Sequence, residues 1–209
     1  MDPSTAKVIL ALAKRWNVPA RHVYKLYAYV KADKEKQVGI YLRIAQGMFI
    51  TQEDIRKLGE TRKTDMELHL KKSLYGLNQA GRLWIQLLDT EMEKNGFDWC
   101  TTDMGLYHKR VGGKMVIFVV YVDDLLVTAT KALLVKEFLS TMGTLSVKDF
   151  GDVRKFLGML IELDDTVGYT IDQQVAIEDL LVQRGIAEAK RVPSPVGVER
   201  NNVDPEKSQ

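Results

Sequence analysis

Two adjacent carboxylates interrupt the most apolar stretch of this 209-residue chain. Residues 115–122 are apolar, Asp123 and Asp124 follow, and residues 125–127 are apolar again. This pattern predicts a β-hairpin whose tight turn is formed by the two acids. Two like charges that are buried or half-buried are costly unless a positive charge compensates them, and Mg²⁺, which prefers carboxylate oxygens, is one such compensator. An exposed turn explains the same residues equally well, because Asp is a common turn former.

Further motifs lie before and after the Tyr-Val-Asp-Asp sequence of residues 121–124. Residues 72–84 read Lys-Ser-Leu-Tyr-Gly-Leu-Asn-Gln-Ala-Gly-Arg-Leu-Trp, residues 147–152 read Val-Lys-Asp-Phe-Gly-Asp, and residues 155–159 read Lys-Phe-Leu-Gly-Met. Together with residues 168–181 they resemble, in order and spacing, the motifs of copia-type retrotransposon reverse transcriptases. The resemblance implies the palm of an RNA-directed DNA polymerase, with part of the fingers and the start of the thumb.

The resemblance also implies a role for each matching residue. Asp123 would ligate the catalytic metal ions, Mg²⁺ or Mn²⁺, and Asp124 would assist the same metal cluster. Other residues would line the primer side (Tyr121 and Val122, with Phe156, Leu157 and Gly158 as a primer grip) or the nucleotide and template side (Tyr29, Gly76, Gln79 and Arg82). Core packing explains Phe156 and Leu157 equally well, and a solvated helix position explains Arg82 about as well.

One position departs from the family pattern. The family's first catalytic Asp lies five residues before an aromatic residue that follows an alanine and checks the sugar 2′ position. Ala28 and Tyr29 match that pair, so Tyr29 resembles the sugar gate and Tyr24 stands where the Asp would be. A tyrosine hydroxyl, with an ordinary pKa of about 10, is neutral at pH 7 and a poor Mg²⁺ ligand. We therefore expect polymerase activity to be lower by several orders of magnitude, since Asp33 lies too far along the chain to replace the lost ligand.

The resulting interpretation is a reverse transcriptase domain weakened in catalysis. The reaction of the family transfers a nucleotide from a deoxynucleoside triphosphate to a DNA primer 3′-hydroxyl, directed by an RNA template. The resemblance implies that most of the fingers are absent, and Asn78 stands where the family commonly has Lys. Two alternatives are a non-catalytic remnant that binds nucleic acid, and a protein-interaction module whose uncovered apolar surface binds a partner or a second copy of the chain.

Charge and cysteine content bear on these alternatives. Residues 1–63 hold 13 Lys and Arg against 6 Asp and Glu, whereas residues 64–209 hold 17 against 22. A basic first third attracts phosphate backbones, although a solvated surface explains the same asymmetry. The single cysteine, Cys100, excludes an internal disulfide and indicates a reducing compartment. With neither a signal peptide nor a membrane-spanning run in the sequence, we expect an intracellular protein of the cytoplasm or nucleus that does not bind membranes.

The elements that would position the site follow from hydrophobic periodicity. Helices are predicted over residues 3–18, 51–59, 79–95, 131–142 and 175–184. Strands are predicted over residues 22–32, 39–44, 105–108, 115–122, 125–127, 154–163 and 168–171. This order favours an α+β fold in which helices back a largely antiparallel, palm-like sheet. We expect one such domain over residues 1–192 and a disordered tail over residues 193–209.

The same periodicity predicts which side chains are buried. The first helix is expected to bury a stripe of Val8, Leu12 and Trp16, with Ile9 and Ala13 beside it. The helix over residues 79–95 is expected to bury Trp84, Leu87, Leu88 and Met92. The three histidines, His22, His69 and His108, are expected at the surface or as satisfied strand residues. Cys100 is expected to be a buried, inert thiol.

Overall fold

The computed structural model describes residues 2–35 and 38–189, and the predicted disordered tail over residues 193–209 lies outside them. The described residues fall into two compact units, divided between Ile171 and Asp172. Helices and antiparallel strands alternate along the chain, so the predicted α+β fold is confirmed. The predicted domain bounds stay a prediction.

Most helices and strands lie near their predicted positions, but two predicted strands are corrected. The strand predicted over residues 22–32 ends at Lys25, because Tyr27 adopts a left-handed conformation and residues 28–31 form a short helix. The strand predicted over residues 154–163 is divided by a turn at residues 157–158, and the strands over residues 67–69, 98–99 and 147–152 have no predicted counterpart. The helices are α1 (Pro3–Trp16), α2 (Ala28–Lys31), α3 (Gln52–Lys57), α4 (Ala80–Lys94), α5 (Ala132–Thr141) and α6 (Gln174–Gln183), with 3-10 turns at Lys63–Asp65 and Met142–Leu145. The strands are β1 (Arg21–Lys25), β2 (Tyr41–Arg43), β3 (Glu67–His69), β4 (Asp98–Trp99), β5 (Leu106–Val111), β6 (Lys114–Tyr121), β7 (Asp124–Ala129), β8 (Val147–Asp152), β9 (Lys155–Phe156), β10 (Met159–Asp164) and β11 (Gly168–Asp172).

One antiparallel sheet organises the first unit. Among the described residues its six strands lie in the order β4-β5-β6-β7-β1-β8. The apolar hairpin β6–β7 therefore lies inside the sheet, where both faces of a strand are covered. Strand β1 pairs with β7 on one side and with β8 on the other, so the segment around Tyr24 lies beside the acid pair. Smaller sheets join β9, β10 and β11, and β2 with β3.

Two hydrophobic clusters cover the opposite faces of this sheet. The first packs α4 and α5 against Val23, Phe118, Leu125 and other residues of the sheet, and includes Trp84. The second packs α1 and the β9–β10 hairpin against Val119 and Leu126. Since side chains alternate along a strand, the continuous apolar run of β6 supplies both clusters.

Helix α1 begins and ends at residues with clear capping roles. The Asp2 carboxylate accepts a hydrogen bond from the Ser4 backbone N–H, and Pro3 follows at the first helical position. At the other end Asn17 adopts a left-handed conformation, with a φ of 53°. The helix thus starts at the predicted residue and ends just before the predicted bound.

The predicted buried stripe of α1 is partly wrong. The helix buries Ala6, Ile9, Leu10 and Ala13 against the sheet. Val8 is 51 % exposed, and Leu12 and Trp16 are only half-buried. The predicted stripe follows the four-residue spacing of the larger side chains and lies about one position away from the buried face. The buried face includes two alanines, whose small side chains let the helix approach the sheet closely. In α4 the prediction is confirmed for Trp84, Leu88 and Met92, whereas Leu87 is partly buried.

In the second unit, α6 presents side chains that are all fully or partly exposed. Its first turn is held by the Asp172 carboxylate, which accepts a hydrogen bond of 2.6 Å from the Gln174 backbone N–H. Across the described part of the chain, the search for a helix both long and apolar enough to cross a membrane finds none.

Candidate active site

The turn of the β6–β7 hairpin differs by one residue from the predicted turn. Tyr121 pairs directly with Asp124, so the two connecting residues are Val122 and Asp123, and Asp124 is the first residue of β7. Val122 has a φ of 55°, a conformation that is rare for a β-branched residue and costs about 1–3 kcal/mol. The two carboxylates therefore lie in different settings, Asp123 in the turn and Asp124 on the strand.

Neighbouring elements hold this turn through its backbone carbonyls. The Trp84 indole N–H, from the buried face of α4, donates to the Val122 carbonyl oxygen over 3.1 Å. The Lys25 backbone N–H, at the end of β1, donates to the Asp123 carbonyl oxygen over 2.6 Å. Both contacts come from elements of the same unit, which fixes the unusual backbone at Val122.

The Asp123 carboxylate accepts hydrogen bonds from two other segments. The Tyr75 hydroxyl lies 2.7 Å from Oδ1 and 2.9 Å from Oδ2, and the Ala28 backbone N–H lies 3.0 Å from Oδ1. The Tyr75 ring packs on Tyr29, with ring centroids 4.6 Å apart. Burial, together with the hydrogen bond to Asp123, raises the pKa of Tyr75 to about 12, so its hydroxyl stays protonated and donates.

The Asp124 carboxylate meets a histidine. His22 Nε2 lies 2.7 Å from Asp124 Oδ1. The imidazole packs against two rings, Phe150 at 5.2 Å and Phe156 at 5.8 Å between centroids. His22 is therefore a satisfied strand residue as predicted, but its contact with Asp124 was missed. Its position two residues before Tyr24 on one strand, and so on the same face, was the available signal.

Tyr24 is the position at which the resemblance predicts the family's first catalytic carboxylate. It is directly opposite Asp124 across the β1–β7 pairing and opposite Lys148 across β1–β8. The charges of Asp123 and, more weakly, Asp124 act with burial to raise the pKa of Tyr24, which keeps its hydroxyl neutral. Position 24 thus faces the acid pair with a neutral side chain.

A buried lysine beside the turn was also missed. Lys25 is 0 % exposed, and its Nζ donates to the Leu26 carbonyl oxygen over 2.6 Å and lies 5.7 Å from the Trp84 ring centroid. Burial, followed by the charge of Lys31, lowers the pKa of Lys25 to about 8, while Asp123 acts in the opposite direction. The alternation of side chains along β1 predicts that position 25 faces inward. A lysine at that position would not be predicted as buried, because lysine side chains are rarely buried.

The residues predicted on the nucleotide and template side lie at the start of α4 and beside it. Gly76 has a φ of 92°, and Gln79 directly precedes α4. Arg82 is exposed and forms an ion pair with Glu35. Tyr29 packs against Tyr75, whose hydroxyl contacts the Asp123 carboxylate.

The predicted primer-side residues divide between surface and core. Tyr121 is 48 % exposed at the end of β6. Phe156 is buried in the second hydrophobic cluster, and Leu157 and Gly158 form the turn between β9 and β10, with φ values of 50° and 79°. For Phe156 the structure shows the core packing that the sequence left open.

The other reactive side chains lie apart from this site. His69 is exposed and stacks on Tyr41, and His108 lies on β5. Cys100 is partly exposed, not buried as predicted, and its Sγ lies 3.0 Å from the Thr102 hydroxyl. Hydrogen bonds from Thr102 lower the pKa of the Cys100 thiol.

The donor set around the hairpin does not fit a two-metal site. Such a site holds two ions about 4 Å apart and needs carboxylates from more than one strand. Here the acids come from one hairpin, position 24 on β1 carries a phenol, and protein donors contact both carboxylates. Within residues 2–35 and 38–189, His, Cys, Asp and Glu side chains form no group of three that could hold a metal ion.

Comparison with known proteins identifies the family. The family model described as "Reverse transcriptase (RNA-dependent DNA polymerase)" matches residues 2–197. The "Retrovirus-related Pol polyprotein from transposon TNT 1-94" of Nicotiana tabacum is 28 % identical over 196 residues, which are 92 % of this chain and 14 % of that protein. The polyproteins from transposons RE2 and RE1 of Arabidopsis thaliana are 32 % and 34 % identical over 64 % and 61 % of the chain.

The chain spans between 9 % and 14 % of the length of these three relatives. The search of solved structures gives no significant match. The family match covers nearly the whole chain and includes the hairpin, β1 and α4 that form the site. This chain therefore belongs to the reverse transcriptase family of copia-type retrotransposons.

Proposed function

We propose that this chain is a reverse transcriptase palm that has lost most of its nucleotidyl transfer activity. Reverse transcriptases use divalent metal ions, and the parent reaction needs an RNA template, a DNA primer and a deoxynucleoside triphosphate. The observation that carries the proposal is the position of Tyr24 directly opposite Asp124. The family's first catalytic carboxylate would have to project from this strand position.

The chemistry of position 24 explains why the loss is severe. A carboxylate there would bring a third negative charge to the hairpin, as a site for two divalent cations requires. The hydroxyl of Tyr24 is neutral at pH 7 even at its ordinary pKa, and the charge of Asp123 raises that pKa further. It therefore supplies neither the charge nor a strong oxygen ligand.

Primer extension on an RNA template tests this proposal. With Mg²⁺ or Mn²⁺, we expect extension by the purified chain to lie at least about a hundredfold below that of Tyr24→Asp, since losing one essential charged ligand costs several kcal/mol of transition-state stabilisation. Tyr24→Phe is the matched control and should remain as slow as the parent. Robust extension by the parent chain, abolished by Asp123→Asn, would overturn the proposal.

A second candidate, nucleic-acid binding without catalysis, is favoured by an aromatic row across the sheet. Tyr121, Asp124, Tyr24 and Lys148 are successive cross-strand partners and so lie on one face. Phe150, 51 % exposed, lies beside Tyr24, with Lys148 Nζ 5.3 Å from its ring centroid. Partly exposed aromatic side chains beside a basic one suit the stacking of unpaired bases. Retention of template-primer on a gel in the same reactions, without extension, would support this candidate.

A further inference from the structure

We infer that Asp123 and Asp124 serve in this chain as a hydrogen-bonded clasp that joins separate segments of the palm, and no longer as metal ligands. The clasp consists of the two acids with Tyr75, the Ala28 backbone N–H and His22. The inference rests on the proposed function, because a working polymerase would need both carboxylates for metal ions. The test of the clasp measures folding stability without nucleic acid, so the clasp inference and the proposed function can fail separately.

The first part of the clasp consists of the hydrogen bonds that Asp123 accepts. A carboxylate accepts through two oxygens, and here Oδ1 receives the Ala28 N–H while the Tyr75 hydroxyl reaches both oxygens. Hydrogen bonds to an ionised acceptor are roughly twice as strong as those between neutral groups. These contacts occupy the oxygen positions through which Asp123 would bind a cation.

The second part of the clasp is the contact between Asp124 and His22. His22 Nε2 lies 2.7 Å from Oδ1, and the imidazole contacts the rings of Phe150 and Phe156. These two ring contacts restrict the imidazole to an orientation that directs Nε2 at the carboxylate. A cation at Asp124 would have to displace a donor that is already in place.

The clasp connects segments that are distant in the sequence. Tyr75 lies 48 residues before Asp123, Ala28 lies 95 residues before it, and His22 lies 102 residues before Asp124. Tyr75 belongs to the segment between β3 and α4. The same segment is also held by the Ser73 N–H, which donates to the Ala32 carbonyl, and by the bridge between Asp33 and Lys72. The acids thus anchor this connection to the central hairpin.

The clasp and an empty metal site predict opposite effects of neutralising Asp123. In an empty metal site, two adjacent carboxylates repel each other, so Asp123→Asn relieves repulsion and stabilises the metal-free protein. In the clasp, the same substitution weakens charge-assisted hydrogen bonds and destabilises it. The sign of the change in melting temperature separates the two descriptions.

Thermal melting of the whole chain in EDTA, and again in millimolar Mg²⁺, provides the test. We expect Asp123→Asn and Tyr75→Phe each to lower Tm by about 3–8 °C in EDTA, with a combined loss smaller than the sum, because both act on one hydrogen bond. Mg²⁺ should leave the Tm of the parent unchanged. Asp98→Asn and Tyr41→Phe, which alter an exposed acid and an exposed tyrosine, are the matched controls and should shift Tm little.

The inference is overturned if Asp123→Asn raises Tm in EDTA, or if Mg²⁺ raises the Tm of the parent but not that of Asp123→Asn. The Mg²⁺ titration of the parent needs no variant, so a variant that fails to fold does not block the test. Primer extension by the unsubstituted chain would refute the proposed function, and this result comes from a different measurement than the melting temperatures that test the clasp.

Discussion

At the scale of single residues, charge compensation decides what the acid pair can do. Asp123 and Asp124 lie beside a neutral tyrosine at position 24, a hydroxyl donor from Tyr75 and an imidazole from His22. The resemblance to the family, aligned on Ala28 and Tyr29, predicts position 24 as the place of the first carboxylate, and the structure puts Tyr24 opposite Asp124. The contacts of Tyr75 and His22 could not be predicted, because they depend on how distant segments meet in space.

Lys25 gives a pH-dependent prediction at this scale. Burial lowers its pKa from an ordinary value of 10.5 to about 8. Between these two pH values the unfolded chain holds a proton that the folded chain releases, so folding stability rises with pH through this window and is lowest below it. Lys25→Met removes the buried charge, and we expect it to gain on the order of 1–3 kcal/mol at pH 7.

Urea denaturation at pH 7 and at pH 9.5 measures this difference. The gain of Lys25→Met over the parent should shrink at the higher pH, where the parent lysine is largely neutral. Lys114→Met, at an exposed strand position, is the matched control and should show no such pH dependence. A Lys25→Met variant that is less stable than the parent at pH 7 would show that the buried ammonium is a net stabiliser.

At the scale of elements, the site depends on how closely helices approach the sheet. Helix α4 brings the Trp84 indole to the Val122 carbonyl, and α1 covers the opposite face through a stripe that contains two alanines. The existence of both helices could be predicted from periodicity and capping residues. The exact face of α1 could not, because small side chains contribute little to a hydrophobic pattern although they settle the packing distance.

Adjacent residues of α1 provide a matched pair for testing that face. Ile9 is 0 % exposed in the second hydrophobic cluster, whereas Val8 is 51 % exposed. Ile9→Ala should lower the free energy of unfolding by about 2–5 kcal/mol, because it leaves a cavity in the core. Val8→Ala should change it by less than about 0.5 kcal/mol. Equal losses for the two variants, measured by chemical denaturation, would contradict the orientation of α1.

At the scale of the whole molecule, one antiparallel sheet brings the motifs together. The sequence order β1, β6, β7, β8 becomes the spatial order β6-β7-β1-β8, which places residue 24 between the acid pair and Lys148. The α+β class could be predicted from the order of elements. The sequence marks residues 147–152 as a motif but not as a strand, since their polar and apolar side chains alternate irregularly and they form a sheet edge. Only the assembled sheet shows that its Phe150 packs against His22 and Tyr24.

Mn²⁺ binding, followed by electron paramagnetic resonance, most directly tests the claim that position 24 holds the missing ligand. We expect Tyr24→Asp to bind Mn²⁺ about tenfold or more tightly than the parent, because a third carboxylate joins Asp123 and Asp124. Asp124→Asn in the Tyr24→Asp background should remove the gain. Saturable Mn²⁺ binding by the parent that equals that of Tyr24→Asp and is lost in Asp124→Asn would contradict the account.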